Sequence, residues 1–266
     1  MATPLEIVSA SGYRNRLSPE ARKAFGGSTI VRQLKSEAPQ PYARSVLASD
    51  VLLYSDGRAP GDKTLVIGFT GAAHRLMLPI ATVLQNLPIE RTDLVLLRES
   101  TRSHYDAGVA GYAATLPDLA GRLRRDLEPR RYRSLVTLGT SMGGFPALRA
   151  GLMMGADAAI AIGGRSIWHV DRLSAPNRAP ITAFDPLCPC GPGETRLICV
   201  YAAKNAEDIK SADAVAAMRP VDRFAFDTAD HNVLLALWRQ GSLRTALSDL
   251  SAGQIPSVGL KPDSDA

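Results

Sequence analysis

A chain of 266 residues, 45% hydrophobic and 21% charged, can build one large core, and that balance excludes wholesale disorder. The formal charge is +5, yet basic residues gather only around one expected helix end, at Arg122, Arg124, Arg125, Arg130, Arg131 and Arg133, with no aromatics between them; that reads as a solvated face and excludes a nucleic-acid partner. No window approaches the roughly 18 apolar residues of a membrane span, and the opening MATPLEIVSASGYRNRL has no apolar leader, so a cytoplasmic protein without a membrane partner is expected.

Residues 1–45 are rich in Pro, Ser, Arg and Gly and suit an irregular or antiparallel start of a sheet. Val51 to Tyr54 predicts a strand ending at Asp56-Gly57, and Thr64 to Phe69 (TLVIGF) is a continuous apolar run of the kind buried on both faces of a parallel sheet. Pro79 to Leu87 predicts a short helix and Asp93 to Leu97 the next strand, followed by the polar loop RESTRSHYDAGVAG. From Tyr112 to Leu127, leucines at 116, 119, 123 and 127 recur three or four apart, which puts them on one helix face against the sheet.

A strand ending at Thr140, a helix from Phe145 to Met154 and a strand from Ala158 to Ile162 come next. Residues 165–194 hold five prolines without periodicity and are expected to form a lid. Arg196 to Ala202 and Arg223 to Asp227 predict strands; Asp208 to Met218, Asn232 to Arg239 and Ser242 to Leu250 predict helices. Strands alternating with helices imply a single α/β domain over residues 1–250. Its sheet is mostly parallel, with helices on both faces and a site beyond the carboxyl ends of the strands. Residues 251–266 are expected to be a loose tail.

The stretch LVTLGTSMGGF, Leu135 to Phe145, reads as strand, sharp turn and helix. Such a turn pushes a serine out at the strand's carboxyl end only if the residues two before and two after it are small, and Gly139 and Gly143 flank Ser141 in that way. A serine hydroxyl is a weak nucleophile and needs a base and a carboxylate to orient that base. His231, after the last strand, is the candidate base; His74, His104 and His169 are less well placed. Asp208, on the loop leaving the penultimate strand, is the candidate acid ahead of Glu207 and Asp213. Asp230 ranks lower because adjacent loop residues rarely point side chains at one another. Donors for a developing oxyanion are expected from the Met142 amide and from Gly71 or Ala72 in GFTGAAHR.

The motifs GFTG, GTSMGG, NAED and DHN, in this order over roughly residues 52–250, resemble the α/β-hydrolase superfamily. The resemblance implies that fold, a Ser141–Asp208–His231 triad and an oxyanion hole, with Thr70 standing where many members carry a histidine. GTSMGGFPALRAGLMMGAD with RSHYDAGVAGY also resembles a bacterial subgroup found beside glycan-building enzymes, which implies an acylated sugar or polysaccharide substrate. The expected activity is ester hydrolysis without cofactor or metal. Acyl transfer to a sugar hydroxyl and a catalytically silent binding protein are the alternatives.

Arg75, Arg98, Arg102 and Arg165 follow predicted strands at the site edge, where converging cations would favour an anionic substrate. His104 is expected to line the same site, and Tyr105, Trp168 and Phe69 to wall it. Cys188, Cys190 and Cys199 are an odd set without metal-ligand spacing and are read as having no function.

Overall fold

The computed structural model describes residues 42–165, 195–258 and 260–262. Among these residues nine strands form one sheet in the order β1-β2-β4-β3-β5-β6-β7-β8-β9. The strands are β1 (Ala43–Ala48), β2 (Val51–Ser55), β3 (Thr64–Phe69), β4 (Thr92–Leu97), β5 (Ser134–Thr140), β6 (Ala158–Ile162), β7 (Arg196–Ala202), β8 (Asp222–Phe226) and β9 (Leu260–Pro262). From β4 to β8 all neighbours are parallel; β1 and β2 extend one edge, and β9 the other, by antiparallel pairing. The parallel centre is as read from the sequence, whereas the tail expected to be loose contributes β9, because its backbone completes the ladder of the otherwise open β8 edge.

The helices are α1 (Ile80–Asn86), α2 (Leu116–Leu127), α3 (Gly144–Met154), α4 (Ala206–Ala216), α5 (Val233–Arg239) and α6 (Leu243–Ser251). All six residues of β3 and of β4 are buried, as a sheet covered on both faces requires. One face packs against α1, α5 and α6 through a cluster containing Val66, Leu84, Ile160, Val200, Leu237 and Leu247. The other packs against α2 and α3 through Leu65, Ile67, Leu119, Leu123 and Ala147. Helix α2 begins three to four residues later than the leucine spacing suggests. Thr115 accepts a hydrogen bond from the Asp118 amide at 3.2 Å and caps the helix, while Val109 and Ala113 pair in a short bridge before it. Its four leucines are all buried, each contributing about 1.5–3 kcal/mol at the upper bound. A charge at Leu119 is the single change that would detach it. No helix among the described residues is long and apolar enough to cross a membrane.

Candidate active site

Ser141 lies between β5 and α3 with φ 52°, a left-handed conformation that non-glycine residues rarely adopt. Close packing enforces this turn. A Cβ at position 139 would lie 1.9 Å from the Gly143 carbonyl oxygen, and one at 143 would lie 2.3 Å from that of Phe69. The elbow thus depends on two positions where the backbone itself occupies the space of a side chain. Strand β5 feeds directly into it, and α3, with Pro146 in its first turn and stopped by Gly155 at φ 63°, backs it.

His231 and Asp208 converge on the same serine. The His231 Nε2 atom is 3.0 Å from Ser141 Oγ, and Nδ1 is 2.6 Å from Asp208 Oδ1. A carboxylate only accepts, so this pairing favours the tautomer with hydrogen on Nδ1 and leaves Nε2 to accept from the serine hydroxyl. The Asp208 side chain is 2% exposed and the imidazole 27%, so the carboxylate is sealed while the ring faces the opening. Asp208 sits in the first turn of α4, one step further into the helix than the loop position expected. There Asn205 accepts from the Glu207 and Asp208 amides at 3.2 Å each and fixes the turn, and the helix N-terminus favours a negative carboxyl. Asp230 turns away: it accepts from the Asn232 amide and lies 3.6 Å from Arg239.

Several residues that hold this arrangement escaped the sequence reading. Asn232 caps α5 through the Leu235 amide at 3.0 Å, and its Nδ2 donates to the Met77 carbonyl at 3.0 Å, tying the histidine loop to the loop after β3. An asparagine just before an apolar run was the available signal. Gly163, at φ 53°, packs beneath the imidazole: a Cβ there would meet His231 Cε1 at 3.1 Å and Met77 Cε at 2.7 Å. Only its place at the end of β6 hinted at this.

The loop after β3 runs beside Ser141, since a Cβ on Gly71 would lie 3.3 Å from Ser141 Cβ. The alternatives for its donor now separate. The Gly71 amide donates to the Arg75 carbonyl at 3.1 Å, which, of the two expected alternatives, leaves Ala72 as the candidate donor on that loop. Arg75 is exposed on the same loop, its carbonyl 3.4 Å from Thr140 Oγ1, and the Arg165 amide donates to the Ser141 carbonyl at 3.0 Å, so the backbone of both arginines lies beside the elbow. Arg102 is exposed and His104 half-buried on the loop after β4.

Other expected site residues lie elsewhere. Tyr105 and Phe69 are 0% exposed and meet edge to face with centroids 5.0 Å apart, so neither walls a substrate; the loop folds back and places Tyr105 in the core. Arg98 is engaged by Asp50 at 3.2 Å and by the Ser49 carbonyl at 2.7 Å, because the β1–β2 turn returns to this edge. Trp168, His169, Cys188, Cys190 and all of the expected lid except Arg165 fall outside the described residues. Burial pushes the Cys199 thiol up to about 12, consistent with an inert core cysteine.

The sheet order, the elbow after β5 and helices on both faces define the α/β-hydrolase fold, and solved structures match it over most of the chain. An esterase of Pyrobaculum calidifontis superposes with a TM-score of 0.55 at 14% identity, covering 90% of this chain and 93% of that one. A fluorophosphonate-binding serine hydrolase of Staphylococcus aureus gives 0.52 at 12% identity over 78% of this chain and 98% of its own. A 2,6-dihydroxy-pseudo-oxynicotine hydrolase gives 0.52 at 14% identity over 94% and 81%. At these identities the likeness is one of fold. No family model and no curated protein matches the sequence.

Proposed function

We propose that the protein is a serine hydrolase that cleaves a carboxylic ester through an acyl-enzyme on Ser141. The observation that carries this reading is the unbroken relay from Ser141 Oγ through His231 to the buried Asp208, at 3.0 and 2.6 Å. Ser141 Oγ attacks the acyl carbon while His231 Nε2 takes its proton, and Asp208 stabilises the imidazolium that forms. The imidazolium then protonates the departing alkoxide. Water, deprotonated by His231, attacks the acyl-enzyme; collapse returns the proton to Ser141 and releases the carboxylic acid. The Met142 and Ala72 amides are the proposed donors to the oxyanion. An anionic ester is the proposed substrate class, since the backbones of Arg75 and Arg165 lie beside the elbow, on loops at the edge where the serine opens.

A fluorophosphonate probe and a panel of acyl esters test the assignment on the native chain and on Ser141→Ala. Serine-dependent labelling is expected, together with ester turnover that falls by about 10⁴-fold or more in the variant. Equal labelling of both proteins, or none of the native one, would sink the reading.

A further inference from the structure

Building on the hydrolase reading, we infer that Tyr105 is a positioning residue for the oxyanion: its hydroxyl clamps the turn at Thr70–Gly71 and so fixes where the next amide, that of Ala72, points. The Tyr105 hydroxyl lies 3.0 Å from the Leu97 carbonyl oxygen, 3.2 Å from the Thr70 carbonyl oxygen and 3.2 Å from Thr70 Oγ1. One arrangement satisfies the hydroxyls: Thr70 donates to tyrosine, and tyrosine donates to one of the two carbonyls. The ends of β3 and β4 are joined there by side chains, beside the Thr70 amide that donates to Leu97 at 3.2 Å.

The far side of the same turn touches the nucleophile. A Cβ on Gly143 would lie 2.7 Å from the Thr70 carbonyl oxygen, and one on Gly71 would lie 3.1 Å from that of Thr140. Thr70 and Gly71 are therefore held between the elbow and a phenol, with no slack on either face. Phenylalanine would fill the same volume, so packing does not explain the hydroxyl in a site that is 0% exposed. Nor does local conformation favour a bulky residue: Tyr105 has φ 61°, and Arg102 and His104 of the same loop are at φ 56° and 53°. Glu99, itself 2% exposed, offsets that strain by accepting from the Ser103 amide at 2.9 Å and from the amide and hydroxyl of Thr101. Burial holds the phenol protonated well beyond neutral pH, so it stays a donor.

The clamp is tested with Tyr105→Phe and Thr70→Val, singly and together, on an ester and on its thionoester, whose sulfur accepts weakly from amide donors. Tyr105→Phe is expected to lower kcat on the oxygen ester by about tenfold with KM within about twofold, since a displaced donor costs part of the hundredfold or more of a deleted one. Thionoester turnover should hold, so the oxygen-to-sulfur rate ratio falls by about the same tenfold factor, and the double variant should lose less than the product of the single losses. Equal losses on both esters would reduce the hydroxyl to a general structural role and overturn the inference, as would an unchanged kcat. Hydrogen exchange of the peptide spanning residues 70–75 in the full chain supplies a readout independent of turnover. Faster exchange in Tyr105→Phe is expected at an unchanged melting temperature of the whole fold; unchanged exchange overturns the clamp. Failure of the native protein to label at Ser141 would sink the hydrolase reading instead, and exchange alone then decides whether the hydroxyl holds the turn.

Discussion

The two ends of the parallel sheet solve opposite problems. At the carboxyl end gather six of the seven non-glycine residues with positive φ among the described residues, on three loops: His74 and Met77 after β3, Arg102, His104 and Tyr105 after β4, and Ser141 after β5. Such residues cost of order 1–3 kcal/mol each and persist where surrounding contacts over-determine them. The amino end carries one such residue, Glu128 at φ 45° in the turn from α2 to β5. It is closed by a static ionic cluster in which Lys63 Nζ lies 2.8 Å from Asp93 Oδ1 and also bonds Asp56, while the Tyr132 hydroxyl donates to Asp93 Oδ2 at 3.0 Å. Both ends bury charge, but only the carboxyl end couples a buried carboxylate to a half-open imidazole and a strained serine. The fold thus places an ionic lock at one edge and the Ser141–His231–Asp208 arrangement at the other.

Substitutions at each end should therefore fail in different ways. Asp208→Asn keeps the shape of the relay but reverses the hydrogen bond that sets the imidazole tautomer, and steady-state kinetics should show kcat down by about 10⁴-fold with little change in melting temperature. A loss of stability without loss of kcat per folded molecule would break the comparison. Lys63→Met should do what Asp208→Asn does not: it strands Asp93, whose side chain is 4% exposed, and urea denaturation should register a loss of about 3–5 kcal/mol while kcat per folded molecule holds.

The same cluster sets an acid limit. Burial alone would raise the Asp56 carboxyl, but hydrogen bonds from Lys63 and from the Arg58 backbone and side chain outweigh it and hold the carboxyl below its usual 3.8. A depressed folded-state value means the contribution to stability is complete above that usual value and is lost as pH falls below it. Asp56→Asn should flatten that part of the acid limb in urea titrations, and an unchanged limb would remove Asp56 from the cluster's energetics.

How much of this the sequence disclosed follows the range of the physics involved. The elbow was legible because its demand is local: small residues two before and two after the serine. His231 and Asp208 were legible because parallel strands deliver their following loops to one edge. Tyr105 was not, since a tyrosine inside RESTRSHYDAGVAG looks solvated until three left-handed residues fold it back onto Phe69. Arg98 was misplaced because its partners, the Ser49 carbonyl 49 residues upstream and the neighbouring Asp50, reach the edge in the turn of an antiparallel hairpin, a pairing set by sheet order. The Gly71 donor was undecidable until the turn to Arg75 was in view.

Gly163 tests how much tolerance the reactive edge has. Its φ of 53° strains any side chain, and an added methyl would press on His231 Cε1 at 3.1 Å and on Met77 Cε at 2.7 Å. Because Nε2 must stay within reach of Ser141 Oγ, a shift of part of an ångström in Gly163→Ala should lower kcat by about 10–100-fold with a smaller change in KM.

Charge at the rim sits at the bottom of the scale. Arg75 is exposed, so whatever it contributes to an anionic substrate is screened by solvent and salt, and surface pairs of this kind are worth about 0–1 kcal/mol. Arg75→Gln should therefore reduce kcat/KM for an anionic ester by no more than about fivefold, and Arg165→Gln, half-buried beside the serine, by somewhat more. Both losses should shrink as ionic strength rises and vanish on a neutral ester of the same acyl chain. Equal losses on neutral and anionic esters would assign the two side chains to the shape of the opening and remove charge from its selectivity, leaving the relay and its clamp unaffected.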